Sequence, residues 1–163
     1  MPLLKDPSLA NFVARTLGQI GPDAVEAVPY VIEALGGDDA ELRHWSARAL
    51  GHIGPAAKDA VPRLTENLEH PKVYVRISAA FALWQVTKRS DKAVAVLIPV
   101  LQHPDLPLRC EAAQALAEIG PDAKAAVPAL LEAAQQNDGY GASNRAREAL
   151  QRIDPEAVRK LEE

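Results

Sequence analysis

The side chains in this 163-residue sequence best suited to hold a metal or act as nucleophiles are four histidines and one cysteine. A stable metal site needs three or four ligands brought together. His44 precedes Trp45, His52 precedes Ile53, and His70 and His103 each precede a proline, so none is followed by a carboxylate. His70 and His103 stand 33 residues apart, and no carboxylate shares their spacing. No metal and no cofactor are therefore expected. Cys110 has no histidine at a suggestive position, and its solitude excludes an internal disulfide or a thiolate-rich zinc centre. It reads as a small, buried or half-buried apolar residue. H-E-x-x-H, G-x-S-x-G, the phosphate-binding P-loop and G-x-G-x-x-G after a strand are all missing. No residue is assigned a catalytic role.

Guanidinium chemistry remains. Arg43, Arg76 and Arg109 recur at intervals of 33, with Asp39 and Asp105 four residues before two of them. The spacing favours a structural ladder, a polar stack between repeats. The alternative is an anion-binding row, which requires all three heads to face solvent together.

That interval organises the chain. LGQIGP at 17–22 returns as LGHIGP at 50–55, and AVP at 27–29 returns at 60–62. Leu50, Leu83 and Leu116 keep the same period, as do Val61, Val94 and Val127. The last partial unit slips by one within DGYGASN (138–144), which reads as a longer loop. Within a unit, Leu42, Ser46, Ala49, Leu50 and Ile53 share one helical face. Gly54 suits a left-handed cap, and Pro55 stops the helix. Ala60, Val61, Leu64 and Leu68 form a second stripe on a helix expected to start near Asp59, with Pro62 in its first turn. One such hairpin cannot bury both stripes, but stacked hairpins can.

Composition agrees. Apolar residues make up 48% and charged residues 25%, and only seven residues are aromatic, so the core must rest on Ala, Leu, Val and Ile. No apolar run suits a signal peptide or a membrane span. With a single cysteine, this leads to an expected cytoplasmic location and no membrane partner. The net charge of −4 argues against a nucleic-acid partner, which needs a basic stripe.

D-x-x-x-R, A-x-A-L-G-x-I-G-P and A-V-P-x-L together resemble a HEAT repeat of the short, phycobilin-lyase-like type. The resemblance spans nearly the whole chain. It implies an all-α fold, a right-handed α-solenoid of about four and a half HEAT-like helical hairpins. A single domain over 1–163 is expected, with units near 6–38, 39–70, 71–103, 104–137 and 138–163. HEAT-repeat hydroxylases hold two irons with His-Glu dipeptides, which this sequence lacks. HEAT-like DNA glycosylases use a basic, aromatic-walled channel with a carboxylate, faintly echoed by Tyr30, Arg63 and Glu66.

In a solenoid, function is written at outward positions that vary between units. On the second helices these read Tyr30, Arg63, Val96 and Ala129, then Glu33, Glu66, Pro99 and Glu132, with Ala34, Asn67, Val100 and Ala133 beside them. The resemblance implies that these helices line a concave side. Tyr30, Glu33, Arg63, Glu66, Val96 and Val100 are the expected contacts for a protein or peptide; a merely solvated surface is the other reading. A second candidate patch is Phe12, Trp45 and Phe81 on the outer face of the first helices, either an interface or packing against Arg15 and Arg48. Trp84, where other units carry Gly18, Gly51 and Ala117, reads as a space filler. The third unit departs from the pattern: Thr87 and Lys88 replace Gly-Pro, and Pro99 is expected to kink the second helix or delay its start. EAVRKLEE at the end of the sequence reads as a polar cap. The expected role is a non-enzymatic protein-interaction scaffold or adaptor. The alternatives are a phycobilin-lyase-like, chromophore-handling subunit or a nucleic-acid-binding HEAT-like module.

Overall fold

The Gly-Pro pairs set where helices end. Gly21, Gly54 and Gly120 each close a first helix at φ 67°, 77° and 70°, with ψ −132°, −144° and −140°. The positive φ agrees with a glycine cap, but the conformation is not the left-handed helical one expected at Gly54. A proline ring excludes helical ψ at the residue before it. The backbone swings instead to a mirror-extended state open essentially to glycine alone.

These details come from a computed structural model describing residues 2–6, 9–136 and 141–162. Its helices are α1 (Ala10–Ile20), α2 (Val28–Leu35), α3 (Ala40–Ile53), α4 (Val61–Asn67), α5 (Val73–Thr87), α6 (Asp91–Leu97), α7 (Leu106–Ile119), α8 (Val127–Ala134), α9 (Ala142–Ile153) and α10 (Pro155–Glu162). No strand occurs among the described residues. The expected long loop lies partly at 137–140, outside the described residues.

After each Gly-Pro a 3₁₀ turn intervenes, as in Gly54–Ala60, with a kink at Ala57 (φ −90°, ψ 24°). The second helix of that unit therefore begins at Val61, two residues past the expected start. Pro62 lies in its first turn, where a missing N–H costs nothing. The third repeat lacks this device. Lys88 closes α5 in the left-handed conformation (φ 59°, ψ 19°), and α6 starts promptly at Asp91. Pro99 does not delay the helix; α6 passes with helical backbone angles at Leu97 and Ile98 into the 3₁₀ turn Ile98–Gln102, which holds Pro99 in its first turn.

The chain forms two compact units, Met1–Arg89 and Ser90–Glu163. In the first, α3 packs against both α1 and α5, while α2 packs on α3 and α4 on α5. Val31, Leu35, Leu50, Ile53, Leu64 and Ile77 fill its core. In the second, α7 and α8 pack on α9, and α6 with its 3₁₀ extension packs on α7, around Leu97, Leu101, Leu116, Leu130 and Leu150. Each unit is a short α-solenoid in which apolar stripes are covered only by neighbouring hairpins. Many buried positions are alanine, which lets helix axes approach closely. Among the described residues no helix is long and apolar enough to cross a membrane.

Candidate functional site

The three ladder arginines are anchored on backbone carbonyls of the links between repeats. Arg43 donates through Nε to Gly37 O at 2.5 Å and through Nη2 to Gly36 O at 3.3 Å. Arg76 Nη1 donates to His70 O at 2.9 Å and Pro71 O at 3.3 Å, and Arg109 Nη1 to His103 O at 2.9 Å and Pro104 O at 3.2 Å. Each guanidinium, partly buried, thus neutralises carbonyls left over where the preceding helix ends. Asp39 instead caps α3, its Oδ1 accepting from Glu41 N at 2.8 Å and Leu42 N at 3.3 Å.

Of the second-helix row in the first unit, Tyr30 is 44% exposed, and Glu33, Arg63 and Glu66 are exposed as well. Arg63 Nη1 pairs with Glu66 Oε2 at 2.7 Å, and the Arg63 head lies across Gly36 of the preceding repeat, where a Cβ would sit 3.3 Å from it. In the second unit Val96 is half-buried. Val100 corrects the expectation: it is 3% exposed and belongs to the core. Its equivalents Asn67 and Ala133 are buried too, and Ala34 is half-buried. In α4 this slot lies three residues past a core leucine, Leu64, and a 3.6-residue helix turns it inward. Asn67 is consequently a buried polar residue with its needs met: Oδ1 accepts from Arg43 Nη1 at 2.9 Å, while Nδ2 donates to Arg63 O at 2.8 Å and Leu35 O at 3.4 Å.

The first helices carry the other candidate patch. Phe12 stands 70% exposed on α1. Trp45 on α3 has the guanidiniums of Arg15 and Arg48 over its ring at 5.5 and 5.8 Å. Phe81 has its ring partner in Trp84 at 5.3 Å, with Lys88 Nζ 5.2 Å from the Trp84 ring. A pocket of about 260 Å³ lies between α1 and α3, lined by Ala14, Arg15, Gly18, Gln19, Trp45, Arg48, Ala49 and His52. Gly18 forms its floor, because a Cβ there would meet Ala49 Cα at 3.3 Å. His52 Nδ1 lies 3.0 Å from Gly18 O and ties the helices together.

A serine and a histidine also meet. Ser78 Oγ donates to Tyr74 O at 2.7 Å, so its oxygen accepts from His44 Nδ1 at 2.5 Å, which places a proton on Nδ1. Ser78 is buried and its proton is committed to a helix carbonyl, so the pair ties α3 to α5 rather than presenting a nucleophile. Burial pushes the His44 pKa down, helped by the Arg48 charge and opposed by the Tyr74 carbonyl and Glu41. Cys110 is half-buried. Among the described residues no three His, Cys, Asp or Glu side chains gather as a metal site needs. Sequence reasoning missed His52 and Ser78. A polar residue in the x slot of L-G-x-I-G, Gln19 or His52, is the signal that marks the first.

The model for HEAT repeats matches residues 2–84 and 61–151. The chain belongs to the HEAT repeat family. No curated protein sequence matches it. Among solved structures, the complex of CpcE and CpcF of phycocyanin lyase from Nostoc sp. PCC7120 is similar, with a TM-score of 0.67 at 25% identity over 99% of this chain and 63% of that one. Two engineered proteins are similar as well. One has a TM-score of 0.65 at 25% identity over 98% of this chain and 83% of its own; the other has 0.64 at 25% over 99% and 83%. This HEAT-repeat chain therefore has the scaffold fold of its family, and a lyase complex and engineered proteins alike are similar to it. Fold does not choose among functions.

Proposed function

We propose that this HEAT-repeat chain is a non-enzymatic interaction module that binds a protein or peptide on the second-helix face of its first unit. Exposure of Tyr30 on α2, in a row with Glu33 and with the Arg63–Glu66 pair on α4, carries the reading. The few residues that dominate binding energy at natural interfaces are enriched in tryptophan, tyrosine and arginine. The Arg63–Glu66 pair is solvent-exposed and contributes only about 0–1 kcal/mol, so exchanging it for partner groups costs little. Val96 is a candidate contact within the second unit. A net charge of −4 weighs against a nucleic-acid partner.

Capture from a native lysate with immobilised wild-type protein and the Tyr30→Ser/Arg63→Ala variant tests the proposal. A protein retained by the first and lost by the second, at unchanged melting temperature, is the expected outcome. Equal retention by both removes the second-helix row from consideration. The likeness to the CpcE–CpcF complex supports a second reading, a chromophore-handling subunit. That reading requires visible absorbance to co-purify with the chain or to appear on adding a bilin.

A further inference from the structure

The α1–α3 pocket joins an apolar floor to a cationic rim. Its floor is made of Ala14, Gly18 and Ala49, its wall is Trp45, and two guanidiniums lie over that ring. No lining residue is acidic. Helix α1 has no Asp or Glu at all, and α3 has only Glu41, in its first turn. A protein with 22 acidic and 18 basic residues thus leaves one concave apolar spot with only cationic or neutral polar side chains. Phe12, the most exposed large apolar residue among the described residues, stands on the same helix one turn before Arg15.

We infer that this pocket is a second docking site, independent of the second-helix row, for an acidic peptide segment that presents one bulky apolar side chain between carboxylates. The apolar side chain would sit on the Ala14–Gly18–Ala49 floor against Trp45, where 260 Å³ accommodates it. Flanking carboxylates would take bidentate bonds from Arg15 and Arg48, groups already pre-ordered over the indole. Charge complementarity selects this occupant: a basic segment meets two like charges, whereas an acidic one meets two cations and no acidic lining residue.

The test uses the full chain carrying Trp84→Phe, which leaves Trp45 as its only tryptophan. It is titrated with the peptide acetyl-Glu-Glu-Leu-Phe-Glu-Glu-amide while Trp45 emission is followed. Two control peptides carry Lys for Glu, or Ser for Leu and Phe. Saturable binding is expected, weakened about tenfold or more in either control and in Arg15→Gln/Arg48→Gln. It should also weaken as salt rises from about 50 to about 300 mM. Gln19→Glu, which adds a carboxylate to the lining at an exposed position, provides a second variant and should weaken binding likewise. Tyr30→Ser/Arg63→Ala should leave the titration unchanged, so failure here and failure of the second-helix site are read separately. Equal affinity for the Lys peptide, indifference to the arginine and Gln19 substitutions, or no saturation up to about 1 mM overturns the inference. Trp45 emission that changes with protein concentration instead, alongside concentration-dependent sedimentation, assigns the pocket to a second copy of the chain and also overturns it.

Discussion

Asn67→Ala installs at one link the residue that Ala34 and Ala133 carry at equivalent slots, and its cost follows from three bonds. The bond from Arg43 Nη1 to Oδ1, at 2.9 Å, is charge-assisted and partly buried, a class worth about 1.5–3 kcal/mol. The bond from Nδ2 to Leu35 O, at 3.4 Å, is long and adds little; the one to Arg63 O, at 2.8 Å, satisfies the amide locally. Losing an amide from a site only 1% exposed also leaves a small cavity. The sum is a destabilisation of about 2–4 kcal/mol. Trp45 and Trp84 both lie in the first unit, so tryptophan emission during urea unfolding reports on the unit that holds Asn67. A double-mutant cycle with Arg43→Met isolates the pair, and a coupling of about 1.5–3 kcal/mol is expected. A coupling below about 0.5 kcal/mol would mean that Arg43 is held by Gly36 and Gly37 carbonyls alone, and the inter-repeat role given to Asn67 would be wrong.

Gly54→Ala and Gly120→Ala should each cost about 1–3 kcal/mol. A Cβ would find nothing within 4 Å at either site, so the penalty is purely one of backbone conformation; denaturation midpoints matching wild type would refute it. The stability of the first unit should fall as pH drops below about 6.5. His44 has a lowered pKa when folded, so the unfolded chain binds more protons in that range, and stability rises with pH through it. His70, lowered chiefly by desolvation and by the Arg43 charge, acts in the same direction. The slope due to His44 cannot exceed about 1.4 kcal/mol per pH unit, and His44→Asn, which keeps a donor for Ser78, should flatten the profile. An unchanged profile in that variant would place the pH response elsewhere.

Periodicity and punctuation in the amino-acid string determined most of the architecture. A repeat of 33 with Gly-Pro at the helix ends and AVP at the next start fixes paired helices, because proline is tolerated only in a first turn and a positive φ with the extended ψ that precedes proline is open essentially to glycine. A break in the regular α-helix at Pro99 and the half-buried Cys110 were legible for the same local reasons. Partnerships across the stack were not. Asn67 and Val100 sit in a row that sequence spacing assigns to the outside, yet a neighbouring hairpin covers it, and a single helix cannot show which flank its neighbour takes. The ladder arginines illustrate the same limit. Their period was plain, but all three bond backbone carbonyls, which carry no letter in the sequence, and Arg43 adds the Asn67 side chain 24 positions on. Packing of Trp45 against Arg15 and Arg48 was one of two readings open in advance. The close approach of α1 and α3, permitted by Gly18 against Ala49, brings both guanidiniums over its ring and opens a pocket beside it, which the sequence did not show. Local chain chemistry is written residue by residue, whereas surfaces form from segments 30 or so positions apart, and their geometry exists only once the repeats have stacked.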